Sequence, residues 1–314
     1  MNTMITGKLK LTGILLLTLV GLSCSDDDTE ELMPEPSMDE LEIGSGNNQG
    51  VIGRDFHFNA RVIAGSTIDI VQININPMEG ETYSNAWSFE IVWDDFKGLK
   101  NSTVHKHFDI PEDAPEGRFE FKITISDENG TKLEETYEVN LIDPENLPVD
   151  PYLYLWFTES SSENVYFVNE LLENPEEIVF AKNDTITSQV SIRNVKDDGQ
   201  LYILFIKKSA DHLPESLDDI DFSKAIVYDV FAHENETEVF TFTNSIRDPD
   251  TYEIIRGLPE FIFGAQSDNY NPTSNSIEGE KAWENGEYYF GIIYENFTHN
   301  VSVYHYMEAT VKGF

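Results

Sequence analysis

A single cysteine, Cys24, in a chain of 314 residues excludes any internal disulfide. Basic residues are scarce: 20 lysines and arginines stand against 58 aspartates and glutamates, for a formal net charge of −38. A field of that sign repels phosphate backbones and anionic membrane surfaces, so no nucleic acid is expected among the partners. Long apolar runs are nearly missing. The run from Leu11 to Leu22 is shorter than the roughly 20 residues a helix needs to cross a bilayer. HExxH, GxSxG, P-loop and GxGxxG patterns are all absent, which leaves no familiar catalytic or nucleotide-binding signature. The carboxylates are too numerous for any pair to be nominated as acid and base without geometry. A non-catalytic role is therefore expected, with a hydrolase ranking third behind two kinds of binding protein.

The chain opens MNTMITGKLKLTGILLLTLVGLSCSDDD, with Lys8 and Lys10 ahead of the apolar run and the small Ser23 ahead of Cys24. That order is expected of an export signal over residues 1–23, outside the fold. "GLSC" resembles the lipobox of bacterial lipoproteins, which implies cleavage before Cys24 and lipidation of its thiol and new amino terminus. Gly21 departs from the pattern, since Leu is commoner there. "CSDDD" resembles the acidic signal that sends lipoproteins of the Bacteroidota to the outer face of the outer membrane. Together these resemblances imply a lipid-anchored, surface-exposed outer-membrane protein whose membrane contact is its N-terminal lipid. Residues 24–48, acidic and without apolar periodicity, are expected to form a flexible tether.

From there on, short alternating runs recur, among them "DFHFNARVI", "IDIVQININ", "WSFEIVW", "RFEFKITIS" and "TYEVNLI". Bounded by Gly, Asn, Asp and Pro, they predict strands, and the fold class expected is all-β, two Ig-like β-sandwich domains in tandem. Pro144, Pro148 and Pro151 interrupt the pattern. They set the expected boundaries at 49–146 for domain 1, 147–151 for a Pro-rich linker and 152–314 for domain 2. The halves share an ending: Glu116–Ile142 can be laid against Asn285–Val311, each with a glycine opening an aromatic-rich strand, an acidic residue and Asn at the turn, and a second alternating strand.

Gly53-Arg54-Asp55-Phe56-His57-Phe58, Trp87, Val104-His105-Lys106-His107-Phe108-Asp109-Ile110-Pro111, Ala114-Pro115-Glu116-Gly117 and "FKITISDENG" occur in that order. Over Gly50 to Ile142 they resemble a domain family of unknown function that recurs in surface lipoproteins of the Bacteroidota. The resemblance implies a β-sandwich and an outer-membrane setting, and brings no activity with it.

Two constellations carry candidate chemistry. In "TVHKHFDIP", His105 and His107 are two apart in a strand and share a face, with Val104 and Phe108 on the other. In "RDFHFNA" the same alternation sends Phe56 and Phe58 inward and Asp55 and His57 outward. As second and fifth strands of an Ig-like sandwich these segments are neighbours in one sheet, so His57, His105, His107 and Asp55 converge. Nitrogen and oxygen donors suit Zn²⁺ or Cu²⁺ better than Ca²⁺, and a solvated face or a protein contact is the alternative. The second constellation is aromatic. Tyr152, Tyr154 and Trp156 alternate along "YLYLWF", and Trp283 closes a long polar loop; such rings can stack on sugars, or else pack in a core. The first expectation is thus a non-catalytic surface lipoprotein that captures a ligand, sharpened to metal or metal-complex binding, or that engages an outer-membrane transporter. Glycan binding or adhesion is the alternative.

Overall fold

Apolar side chains alternate with polar ones along strands such as Asp55–Ile63 and Gly117–Asp127. The computed structural model describes residues 33–44, 46–161, 164–168, 171–173 and 177–314. The expected export signal, Cys24 and the first part of the expected tether lie outside the described residues. Among the described residues the elements are strands and three short 3₁₀ turns, and no helix is long and apolar enough to cross a membrane.

The first half contains β1 (Ser37–Ile43), β2 (Gln49–Val51), β3 (Asp55–Ile63), β4 (Ile68–Pro77), β5 (Phe89–Trp93), β6 (Asn101–Asp109), β7 (Gly117–Asp127) and β8 (Lys132–Ile142). They form two sheets, in the orders β1-β3-β6 and β2-β8-β7-β4-β5, the layering of an Ig-like sandwich. Phe56, Phe58, Val104 and Phe108 of the smaller sheet meet Val71, Ile73, Phe119, Phe121 and Ile123 of the larger, all buried. Burial of each such side chain contributes about 1.5–3 kcal/mol. The strands holding the histidines, β3 and β6, are antiparallel neighbours.

Residues 37–43, expected within the flexible tether, instead form β1 on the edge of β3. Three interactions overcome the acidic composition. Ile43 is buried, Met38 and Leu41 pack on the core, and Asp39 holds Arg61 through two contacts of 2.6 Å. Three apolar anchors within six residues, Met38, Leu41 and Ile43, outweigh the charge of the segment.

The second half comprises β9 (Tyr152–Ser160), β10 (Asn164–Val168), β11 (Leu171–Glu173), β12 (Ile178–Ala181), β13 (Thr185–Lys207), β14 (Ala225–Thr243), β15 (Ile246–Arg247), β16 (Ile254–Arg256), β17 (Phe261–Ile262), β18 (Gly286–Asn296) and β19 (Val301–Lys312). One sheet runs β11-β10-β9-β13-β18-β19-β12, with β14 and β17 also on β13. The start of β13 pairs with β9 and its end with β18, while β14 follows both parts. Between them the register slips repeatedly from Ile192 to Gly199, with Asn194 and Asp197 at φ 57° and 55°. Bulges of this kind bend a strand, and here they turn one sheet into two facing layers: Trp156 of β9 meets Phe290 of β18 at 4.6 Å between ring centroids.

The shared ending is visible as two antiparallel hairpins, β7–β8 and β18–β19. Gly117 opens one opposite Leu141 and Gly286 opens the other opposite Val311, both at positive φ, 140° and 155°. The chain from Pro34 to Phe314 forms one compact unit.

Candidate metal centre

The pairing of β3 with β6 puts His57 directly opposite His107, and Asn59 opposite His105. Since the inward neighbours Phe56, Phe58, Val104 and Phe108 are buried, all three imidazoles stand on the outer face. Their rings cluster, with His57 4.9 Å from His105 and 5.2 Å from His107 between centroids.

A fourth donor comes from the other half of the chain. Glu215, in the loop between β13 and β14, places Oε1 3.0 Å from Nε2 of His107 and 3.7 Å from Nε2 of His105. The two Nε2 atoms are 3.2 Å apart. One ligand atom from each of His57, His105, His107 and Glu215 lies within 4.8 Å of every other. The edge of a tetrahedron around Zn²⁺ with ordinary bond lengths is about 3.3 Å. Three of the edges here are already close to that value, and the His57 corner lies within 4.8 Å of the other three.

Asp55 does not join that set; it acts on His107. Its Oδ2 lies 2.6 Å from Nδ1 of His107, so Nδ1–H donates to the carboxylate and Nε2 is turned toward Glu215. A carboxylate behind a histidine in this manner fixes ring orientation and raises its basicity as a ligand.

The imidazoles differ in electrostatics. His107 is pushed up to about 9, first by its bond to Glu215 and further by Asp55, against the opposing effect of burial. A proton shared between His107 Nε2 and Glu215 thus sits where a cation would, and metal binding would displace it. His57 is pushed down, chiefly by burial, which favours its neutral form. Its Nε2 is buried and, among the described residues, has no hydrogen-bond partner. A buried polar atom left unpaired is uncommon and costly. Burial opposes ionisation of Glu215, but the bond to His107 and the surrounding imidazoles outweigh it and hold the carboxyl below its usual range. Glu42, whose Oε2 is 4.0 Å from His57 Nε2, is raised by burial and then by Asp219 and Glu215.

Beside the cluster opens a cleft of about 440 Å³ lined by Glu42, Arg54, Asp55, His57, Glu215 and Tyr304, among others. The loop bearing Glu215 is held by two bonds to the sheet and one of its own. The Tyr306 hydroxyl donates to the Pro214 carbonyl, Leu217 N–H donates to Glu295 at 3.2 Å, and Ser216 donates to Asp219 at 2.7 Å.

The aromatic constellation does not assemble. Trp156 is fully buried, its Nε1–H donating to Ser188 Oγ at 2.8 Å. Between β9 and β13 the register shifts, Ser191 lying opposite Leu155 and Ile192 opposite Leu153, so Tyr154 is an extra residue. That bulge puts Leu153 and Trp156 on the same core side and breaks the common face expected of Tyr152, Tyr154 and Trp156. Tyr154 is covered by the Arg193 guanidinium, 3.3 Å from the ring centroid, and Tyr152 is half-buried. Trp283 packs on Phe261, Phe263 and Phe314 and donates to the Ala265 carbonyl at 3.0 Å, so its loop covers the core edge. Outside the cluster, His233 is buried and bonded to the Asp197 carbonyl and the Tyr294 hydroxyl.

Residues 22–142 match a family described as a domain of unknown function, DUF4625. Among solved structures, dimeric latent PorU from Porphyromonas gingivalis is similar at 10% identity and a TM-score of 0.29. The match covers 92% of this chain, which spans 21% of the PorU chain. A protein of unknown function from Porphyromonas gingivalis W83 is similar at 10% identity and a TM-score of 0.18, over 88% of this chain and 97% of its own. No curated protein matches the sequence.

Proposed function

We propose that the protein is a non-catalytic metal-capture lipoprotein of the outer membrane, exposed at the cell surface, which binds a transition-metal ion such as Zn²⁺ or Cu²⁺ through His57, His105, His107 and Glu215. The observation that carries this reading is the convergence of these four donors within 4.8 Å. The unpartnered buried Nε2 of His57 and the carboxylate behind His107 support it. Three imidazoles and one carboxylate are borderline ligands suited to Zn²⁺ and Cu²⁺. The net charge of −38 draws cations toward the cleft. The lipoprotein setting rests on "GLSC" and the acidic residues after it, and an outer-membrane transporter or a metal-bearing extracellular ligand is the partner it suggests.

Calorimetric titration of the protein with Zn²⁺ and Cu²⁺, beside a variant carrying His57→Ala, His105→Ala and His107→Ala, tests the reading. One ion bound per chain by the parent and none by the variant is the expected result. Equal binding by both would overturn it.

A further inference from the structure

The four donors come from both halves of the chain. His57, His105 and His107 stand on β3 and β6 of the first half, and Glu215 belongs to the second. The halves belong to one compact unit, and the ties between them are of a limited kind. No strand of one pairs with a strand of the other among the described residues. The apolar clusters are separate as well, one confined to the first half and two to the second. The side-chain bonds that join them are polar: Asn47 Nδ2–H donates to the Asn300 carbonyl at 2.7 Å, and Glu215 meets His105 and His107. At the connecting segment Arg54 grips Asp150 with two bonds of 2.6 and 2.8 Å. Small polar contacts of this kind ordinarily permit relative domain motion.

The composition of the seam favours a bound cation. Glu42, Asp55, Glu215 and Asp219 crowd the same cleft with Arg54 as the one guanidinium among its lining residues. Glu215 is the most enclosed acid in contact with the histidines, its side chain 16% exposed. A divalent ion there would hold this carboxylate and the three imidazoles by coordinate bonds, taking the place of the present His107–Glu215 contact. Those bonds would join the halves at a seam across which, among the described residues, no buried apolar cluster runs.

We infer that the metal is a clasp between the two halves: its binding to the His57–His105–His107 face recruits Glu215 and fixes the relative orientation of the sandwiches. This inference rests on the metal-binding reading above and adds a conformational consequence to it. A surface protein built this way would present one arrangement of its two halves when loaded and a range of arrangements when empty, giving a partner a means to tell the two apart.

The test pairs Zn²⁺ affinity with an interdomain distance in the full chain. Nitroxide labels at Leu99→Cys and Val239→Cys, positions 45% and 58% exposed, in a Cys24→Ser background, report the distance distribution by pulsed dipolar spectroscopy. In the otherwise unaltered protein, Zn²⁺ should narrow the distribution. With Glu215→Ala added, Zn²⁺ should bind at least about tenfold more weakly, by analogy with the loss of a supporting group, and should leave the distribution broad even at saturation. If Zn²⁺ binds without narrowing the distribution, or narrows it equally with Glu215→Ala, the clasp is wrong and the metal site stands. If the triple histidine variant binds Zn²⁺ as tightly as its parent, the metal site itself falls and the clasp with it.

Discussion

His57 and His107 face each other across an antiparallel pair of strands, their rings 5.2 Å apart and within 8° of parallel. Two imidazoles so placed would repel if both were protonated, and the protein keeps them different. His107 is bracketed by Asp55 and Glu215, while the half-buried His57 keeps its Nε2 buried and without a hydrogen-bond partner among the described residues. One ring is held by carboxylates and the other presents an unused nitrogen.

Asp55→Asn should weaken Zn²⁺ binding by about 10–100-fold, the usual cost of losing a carboxylate behind a ligating histidine. The substitution leaves an oxygen that can still accept from Nδ1 of His107, but removes the charge that makes the ring a better ligand. Competition against a coloured Zn²⁺ chelator reads the affinity. Unaltered affinity would show that the contact of 2.6 Å has no bearing on the metal.

The histidine face could be read from the sequence because alternation is a local property. Phe56, Phe58, Val104 and Phe108 announce which side of each strand is core, and the positions between them follow. Glu215 could not be read that way: it is one of 58 acids in a loop without periodicity, and it reaches the histidines only through tertiary folding. The failure at "YLYLWF" has another cause. A bulge at Tyr154 moves every residue beyond it to the opposite face, and no residue type there signals it. β1 is hidden differently, its apolar anchors Met38, Leu41 and Ile43 being matched by as many acids, Asp39, Glu40 and Glu42, at the end of an acidic run.

Trp156→Ala should destabilise the second half by about 3–5 kcal/mol, the range for removing a large buried ring. It also leaves Ser188 Oγ without the indole donor it accepts from. Urea denaturation followed by circular dichroism measures the change. A loss below about 1 kcal/mol, the level of an exposed position, would mean that the ring is not in the core and would reopen a sugar-stacking role for this strand.

Asp127 contributes to the acid limb of stability. It is 3% exposed, and its carboxylate accepts from the backbone N–H of Ser66 at 2.8 Å and of Asn129 at 3.0 Å. Burial would raise its pKa, but the backbone donors prevail and hold it below the usual carboxylate range. A carboxyl depressed in the folded state stabilises above its unfolded value, near 3.9, and that contribution is lost as pH falls through the folded value. Asp127→Asn should therefore cost about 1–3 kcal/mol at neutral pH and flatten the fall in stability below about pH 4. Denaturant midpoints between neutrality and strong acid decide it. Parallel curves for parent and variant would show that this group does not set the acid limb.

Gly291 connects the fold of the second half to the donor it contributes. It lies opposite Tyr306 on the β18–β19 ladder, and a Cβ at this position would fall 2.1 Å from a carbon of the Tyr306 ring. The ring lies over the glycine, and its hydroxyl holds the Pro214 carbonyl, one residue before Glu215. Gly291→Ala must push the ring aside, at a cost of about 1–3 kcal/mol for overpacking, and so release the loop that aims the carboxylate. Zn²⁺ affinity should fall along with stability, although residue 291 touches no ligand. A double-mutant cycle separates this from general loosening. If Gly291→Ala acts through Glu215, it should weaken Zn²⁺ binding in the parent and have little further effect once Glu215→Ala is present. Equal losses in both backgrounds would mean that Tyr306 braces the loop without positioning the carboxylate.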